Sequence, residues 1–170
     1  MGFSAGLSYE RFLKKHFSLS ADIIYSQRGF SSKIYLLDAS GKPIDEQPLY
    51  YNYDYLSLPM KTAFSFGKNI YGFAGIGVIP AFLVNAKAIA GNGGTITGTA
   101  VVTRQVSRFD LAGMVEAGAG YEFNKFRLFT SVMYQQSVTT ITAPIYFSNI
   151  KIRHNGLTLS LGLKYRITKA

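Results

Sequence analysis

The residues of this sequence best suited to chemistry are ten charged side chains at alternate positions of extended segments. Five are acids and five are bases, so the set is neutral although the whole chain has a formal net charge of +9. Such a set can form an ion-pair network inside a fold, or it can serve as a proton path or catalytic group, and buried charges need partners either way. Its members are Glu10, Asp22, Arg28, Lys61, Asp110, Glu116, Glu122, Arg127, Lys164 and Arg166.

Other catalytic and metal-binding patterns are missing from the sequence. The two histidines, His16 in a turn and His154 at a strand entrance, are isolated and make neither a zinc site nor a triad. There is no cysteine, so a disulfide framework or thiolate metal site is excluded. Gly91-Asn-Gly-Gly is a loop tip without the strand–turn–helix context of a phosphate-binding loop. We therefore predict no catalytic residue, no metal and no cofactor.

The element that must position the charged set is best seen at Asn155–Ile167. Leu157, Leu159, Leu161 and Leu163 alternate there with small residues and Lys164. A period of two predicts a β-strand, and a run of about eleven residues is long enough to cross a bilayer at a tilt. An apolar outer face and a polar inner face are typical of a transmembrane barrel strand.

The same pattern recurs along the whole chain, which predicts an all-β, antiparallel up-and-down barrel in one domain, residues 1–170, with about seven strands. Glycines blur the facing of Ile70–Lys87, and Pro80 is expected at a bulge or strand top. Long loops alternate with short turns that are flanked by aromatic residues, as in an interfacial girdle. The predicted long loops are Gly29–Asp54, Ala88–Ser107 and Val138–His154; the short turns are Lys14–His16, Gly67–Asn69 and Asn124–Lys125.

The strand count makes a further prediction about the barrel edges. With short turns on the periplasmic side, the first and last of seven strands run in the same direction. Bacterial single-chain barrels are antiparallel with an even number of strands. We therefore expect one ascending strand, together with a signal peptide, upstream of Met1.

Charge and composition limit the partners. The cations are scattered over turns and strands and form no stripe, which argues against nucleic acid. Attraction to outer-membrane lipid or lipopolysaccharide head groups explains the basic balance better. Tyr and Phe number 12 and 13 while Trp is absent, which suits β-structure and an aromatic belt.

Four segments resemble a known family. They are Tyr55-Leu-Ser-Leu-Pro-Met, Tyr71-Gly-Phe-Ala-Gly-Ile-Gly, Phe109-Asp-Leu-Ala-Gly-Met-Val-Glu-Ala-Gly-Ala-Gly-Tyr-Glu-Phe and Leu157-Thr-Leu-Ser-Leu-Gly-Leu-Lys-Tyr-Arg. They are similar to the small outer-membrane β-barrel domain of Bacteroidetes, the PorT-like group, and the resemblance covers nearly all of the chain. It implies an eight-stranded barrel in the bacterial outer membrane and leaves the activity open.

Three classes of function remain. The first, which we favour, is an integral outer-membrane barrel with a structural, adhesive or complex-forming role through its external loops and not a wide pore; other envelope proteins are then candidate partners of these loops. The second is a barrel enzyme of the lipase, protease or acyltransferase kind, and the third is a soluble calycin-like barrel with its leucines inside. Tyr50, Tyr51, Tyr53 and Tyr55 are candidates for an external interaction surface or for the upper aromatic belt of an extended hairpin.

Overall fold

The computed structural model describes residues 2–38, 40–92, 95–103, 106–140 and 153–165. These residues include nine strands in one antiparallel sheet. The strands are β1 (Ser4–Phe12), β2 (Phe17–Leu37), β3 (Pro43–Ser57), β4 (Met60–Gly67), β5 (Ile70–Asn92), β6 (Thr95–Val101), β7 (Phe109–Phe123), β8 (Phe126–Ser137) and β9 (Asn155–Tyr165). No helix in this described part is long and apolar enough to cross a membrane.

The neighbours in the sheet follow the order β1-β2-β3-β5-β7-β8-β9, with β4 between β2 and β5 and with β6 on β5. The predicted all-β antiparallel fold is confirmed. The described residues form nine strands, whereas about seven were predicted for the chain, for two reasons. One predicted span is divided into β3 and β4, and β6 is a short strand that folds back on the far end of β5.

The division between β3 and β4 falls at Leu58 and Pro59, and Pro80 of β5 lies beside it. The Leu58 N–H donates to the Pro80 carbonyl at 2.8 Å, and the Asp22 N–H donates to the Pro59 carbonyl at 2.9 Å. Proline has no N–H for a ladder, so regular pairing stops where two prolines come together. Pro80 was expected at a bulge or strand top; it lies inside β5, opposite this break.

Alternation places the leucines of β9 on the outside of the sheet. Leu157, Leu159 and Leu161 are 73%, 77% and 79% exposed, whereas Thr158 and Ser160, which alternate with them, are half-buried. Two rows of residues, aromatic except for Leu56, border this apolar band in register; we call them the aromatic rows. Phe123, Phe126 and Tyr165 are successive partners at the short-turn end, and Tyr25, Leu56, Phe82 and Phe109 are successive partners at the other end. A calycin-like barrel with its leucines inside is therefore wrong for this chain.

The facing of β5, which the sequence left open, follows from the structure. Tyr71, Ile79 and Leu83 are buried, whereas Ile76 and Val84 are exposed. The inward residues are themselves apolar, so alternation of polarity gives no signal. A register shift where β5 pairs with β3 then brings Ala86 to the inner face, three positions after Leu83.

Two hairpins continue the sheet beyond the upper aromatic row. The first, which we call the outer arm, comprises residues 27–37 of β2 and 43–54 of β3, paired from Gln27–Asp54 to Leu37–Pro43. Its turn is closed by Asp38, whose Oδ1 accepts the N–H groups of Ser40 and Lys42 at 2.8 and 2.9 Å. The second hairpin joins β5 to β6, so most of the predicted loop Ala88–Ser107 is β-structure instead.

The sheet has two edges within the described residues. The ladders of β1 and β9 are with β2 and β8, and none joins β1 to β9. The alternating order makes these two edge strands run in the same direction. Ser4, Gly6 and Ser8, on the inward side of β1, are exposed, as expected for a strand paired on one side within the described residues.

Candidate functional site

The interior of the sheet holds nine of the ten predicted charged residues; Arg166 lies outside the described residues. All nine belong to ion pairs, in three groups at successive heights along the interior. Strands β1, β2, β4, β7, β8 and β9 each supply at least one of them, because each has a polar inward face.

The lower group lies near the short turns and contains two acids and two bases. Glu10 Oε2 lies 3.2 Å from Lys164 Nζ and 3.4 Å from Arg127 Nη1. Arg127 Nε is 3.1 Å from Glu122 Oε2, and its guanidinium stacks 4.0 Å from the ring centroid of Tyr71. Charge is balanced within this group, and the cations also lie over aromatic faces.

The middle group has one cation between two acids. Lys61 Nζ lies 2.6 Å from Glu116 Oε2 and 3.5 Å from Asp22 Oδ2, and all three side chains are at most 12% exposed. The hydroxyl of Ser8 donates to the other Asp22 oxygen at 2.5 Å. This group has a net charge of one negative unit, so both carboxylates depend on the same lysine.

The upper group is organised around Asp110. Its Oδ2 accepts from Arg28 Nη1 at 3.0 Å and from the Ser137 hydroxyl at 2.8 Å, and its Oδ1 accepts from the Thr139 hydroxyl at 2.7 Å. Arg28 Nη2 also donates to the Ser57 hydroxyl at 3.3 Å. Three donors therefore hold one buried carboxylate at the outer end of the interior.

An aromatic layer covers the upper group. The ring of Tyr55 lies 4.8 Å from the Arg28 guanidinium, and its hydroxyl is 3.4 Å from His154 Nε2. Edge-on contacts at 5.5 and 5.8 Å place the His154 ring against Tyr53 and Tyr55. Burial, with the positive charge of Arg28 nearby, lowers the pKa of His154 to about 4.

This layer corrects the expectation for the tyrosines. Tyr55 is fully buried and Tyr53 is 4% exposed, so neither belongs to an external surface or an outer belt. They point inward because the inward alternation of β3 continues above the membrane level. Tyr50 is 47% exposed and Tyr51 is half-buried, and of the four, Tyr50 is the one that faces outward.

A small apolar core closes the outer end above these groups. Tyr53, Tyr55, Ala81, Leu83 and Ala86 pack together, with Tyr51, Val102 and Val106 against them. The segment after β6 is fixed there by the Thr103 hydroxyl, which accepts the Ala86 N–H at 2.9 Å. The described interior is thus ionic below and apolar at its outer end.

Comparison with known proteins identifies the family. The model of the outer membrane protein beta-barrel domain family matches residues 1–143. The chain belongs to this family. No curated protein and no solved structure matches the chain.

Family membership makes the protein an integral barrel of the bacterial outer membrane. The exposed leucine face of β9 and the two aromatic rows are then its lipid-facing surface. Under the usual orientation of such barrels, the short turns lie in the periplasm and the outer arm projects from the cell.

Within the described residues, the polar groups of this outer-membrane barrel pair charges, and no serine side chain there is hydrogen-bonded to the His154 ring as a nucleophilic relay requires. Ser137 donates to Asp110, whereas His154 makes its side-chain contact with Tyr55. A Ser–His–Asp mechanism needs serine and histidine side chains within hydrogen-bond reach of each other. Over the ranges described, no group of three or more His, Cys, Asp or Glu residues could hold a metal ion.

The predicted charged set did not include the hydroxyl groups that bind its carboxylates, or His154. Ser18 donates to Glu10 at 2.9 Å, and Ser57, Ser137 and Thr139 complete the upper group. For the serines on strands, the same alternation that identified the charges was a usable signal. His154 precedes β9, where alternation has not begun, so its partner Tyr55 was not predictable.

Proposed function

We propose that this outer-membrane barrel has a structural, adhesive or complex-forming role, and that it contacts other envelope or surface proteins through its outer arm. The observation behind the proposal is that β2 and β3 remain paired far above the upper aromatic row. At about 3.3 Å per residue, the arm extends for about 35 Å along β2. The paired strands therefore project well beyond the upper aromatic row.

The arm has a surface suited to protein contact. Phe30 is 37% exposed and stacks on Tyr51 with ring centroids 4.8 Å apart. Tyr35 and Tyr50 are 55% and 47% exposed on the same arm. Aromatic residues are enriched where proteins bind each other, because they bury much area with few rotatable bonds.

Photo-crosslinking in intact cells tests this proposal. A photoreactive amino acid at Tyr35 or Tyr50 is expected to give discrete protein adducts, whereas the same residue at the lipid-facing Leu161 gives lipid adducts only. Adducts at Leu161 that match those at Tyr35 would contradict a specific arm contact. So would an absence of protein adducts at both arm positions while the protein is shown by surface proteolysis to be folded.

The proposal also predicts that the barrel does not conduct like a porin. A barrel of the eight-strand type has an interior only wide enough for its side chains, and here ion pairs and an apolar core occupy that space. In planar bilayers we expect no large, steady single-channel currents from the purified protein. Such currents would overturn the proposal, and turnover of a lipid or peptide substrate in detergent would favour the enzyme alternative.

We also propose that the protein belongs more narrowly to the PorT-like group of Bacteroidetes barrels. The support is the set of glycine–aromatic segments of β5, β7 and β9 that resemble that group. The test is to sequence the neighbouring genes in the source genome. Genes of a Bacteroidetes lineage are expected, and genes of another bacterial lineage would contradict the proposal.

A further inference from the structure

The short-turn end of the barrel has a basic face that the interior network does not explain. The turns Leu13-Lys14-Lys15-His16, Gly67-Lys68-Asn69 and Asn124-Lys125 contain lysines and no Asp or Glu. Among the described residues, Lys15 and Lys68 have no ion-pair partner, and all four lysines are exposed. The nearest acids, Glu10 and Glu122, pair with interior cations.

Part of this basic face is concave. A cavity of about 300 Å³ opens between the first two turns, and Lys15, His16, Lys68 and Asn69 line it together with Phe66 and Tyr71. Glu122 also lies on its wall, 3.1 Å from Arg127 Nε, so its charge is offset there. Several donors therefore converge on one recess instead of spreading over the rim.

His16 is fixed in this recess in a defined form. Its Nδ1 lies 2.9 Å from the carbonyl oxygen of Ser65, and a carbonyl can only accept, so Nδ1 has the proton. The Ser65 N–H in turn donates to the His16 carbonyl at 2.7 Å. These two bonds hold the first turn against the end of β4 and keep the recess open.

The recess continues toward the lipid side. A second, more open recess of about 420 Å³ is lined by Phe12, Leu13, Lys14 and Lys15, so the two share Phe12 and Lys15. Leu13 and Phe66 are 60% and 57% exposed at the level of the lower aromatic row. A ligand that fits both recesses needs an anionic head and an apolar tail.

We propose that this groove binds the head group of an anionic phospholipid of the periplasmic leaflet, with Lys15 and Lys68 around its phosphate, with His16 on the groove wall, and with Phe66 and Leu13 along its acyl chains. The position of the groove along the membrane normal supports this ligand. The lower aromatic row lies beside the groove, and such rows mark the boundary between membrane and water, where lipid head groups lie. The proposal goes beyond the role of the outer arm, which lies at the opposite end of the barrel.

Tryptophan fluorescence offers a direct test, because the chain has no Trp. A reporter Ile70→Trp places the fluorophore beside the second turn without changing a lining residue, since Ile70 is 75% exposed and lies outside the cavity wall. A second reporter, Leu161→Trp on β9, faces bulk lipid. The reconstituted protein is titrated with brominated phosphatidylglycerol or brominated phosphatidylcholine in unlabelled phosphatidylcholine vesicles.

At Ile70→Trp we expect brominated phosphatidylglycerol to quench at a mole fraction several-fold lower than brominated phosphatidylcholine. At Leu161→Trp the two lipids should quench alike. Lys15→Gln and Lys68→Gln should each reduce the preference by about fivefold, the effect of one cation near an anionic surface. Lys125→Gln, on the third turn and outside the cavity, is the matched control and should leave the preference unchanged.

Two results would overturn the proposal. Equal quenching by the two lipids at Ile70→Trp would show that the groove does not select an anionic head group. An acidic protein would then be the alternative ligand for its positive charge. An equal loss from Lys125→Gln and Lys68→Gln would show diffuse attraction without a site. Heat-modified gel mobility identifies any variant that fails to fold. If Lys15→Gln fails to fold, Lys15→Arg is measured instead; it keeps the positive charge and should keep the preference for phosphatidylglycerol.

Discussion

Loss of Lys61 should destabilise the barrel strongly, because this lysine lies between two buried carboxylates. In Lys61→Met, Asp22 and Glu116 would face each other without a cation. Removing one partner of a buried ion pair destabilises by about 3–5 kcal/mol, and we expect a loss in that range in urea unfolding from vesicles.

Two variants make the Lys61 prediction specific. Lys125→Met removes a lysine from an exposed turn outside the lipid groove and should change stability by less than about 0.5 kcal/mol. Combining Lys61→Met with Asp22→Asn and Glu116→Gln should restore most of the loss, because the buried negative charges are removed as well. Equal effects of the two lysine changes would contradict the buried pairing.

His154 should make stability depend on pH. Its pKa is lowered from 6.5 to about 4 by burial and by Arg28, while Asp110 acts in the opposite sense and Tyr53 and Tyr55 pack on its ring. Between these pKa values the unfolded chain binds a proton that the folded chain does not. Stability is therefore complete above pH 6.5 and falls as the pH falls toward 4.

The expected size can be measured at pH 5. There the free energy of unfolding should be about 2 kcal/mol lower than at pH 7 through this group. His154→Gln should lose that part of the pH dependence. An unchanged profile in the variant would assign the acid sensitivity to other groups.

The strand β9 shows how two faces of one element differ in tolerance. Leu161 lies mid-strand on the lipid face, 79% exposed, whereas Ser160 is half-buried on the inner face and pairs with Ser131. A charge on the lipid face near the bilayer midplane costs about 2–4 kcal/mol. In a refolding assay we expect Leu161→Arg to lower the free energy of unfolding by that amount and Ser160→Ala to leave it nearly unchanged. Equal effects of the two changes would contradict the assignment of the leucine face to lipid.

Sequence predicted the elements where one face is apolar and the other polar. The positions of β1, β7, β8 and β9 and the three short turns follow from that contrast, and so do nine members of the interior network. On β5 the contrast disappears, because its inward residues are large and apolar. Tyr71, for example, fits because its partner is Gly120, where an added Cβ would lie 2.5 Å from the Tyr71 hydroxyl.

Above the membrane the rule changes, which explains the other misses. Water, and not lipid, lies outside the arm, so outward residues need not be apolar there. Tyr53 and Tyr55 were consequently assigned outward although they form the core at the outer end. The contact between the Tyr55 hydroxyl and His154 Nε2 joins residues that are 99 positions apart in the sequence. No local sequence pattern predicts such a contact.

For the whole molecule, the two edge strands make a geometric prediction. Unpaired backbone groups are costly in hydrocarbon, so the edges of β1 and β9 need a partner in the membrane. They run in the same direction, and we propose that one antiparallel strand separates them. Glu10 and Lys164 still meet at 3.2 Å because both side chains are long.

Cysteine pairs test this arrangement on a chain that has no cysteine of its own. With one strand between them, Tyr9→Cys and Leu163→Cys should react with a cross-linker that spans about 10 Å, twice the strand spacing, and should not form a disulfide. Efficient disulfide formation in the membrane would show that β1 and β9 pair directly.

The interruption between β3 and β4 has a mechanical consequence. Where Pro59 and Pro80 come together, tension on the outer arm meets fewer ladder bonds than in the continuous strands on either side. A pull on the arm from outside the cell would then be released there first. The strands of the arm would separate down to that level while the lipid-embedded strands stayed paired. The proline pair would therefore limit the damage that a force on the cell surface does to the barrel within the membrane.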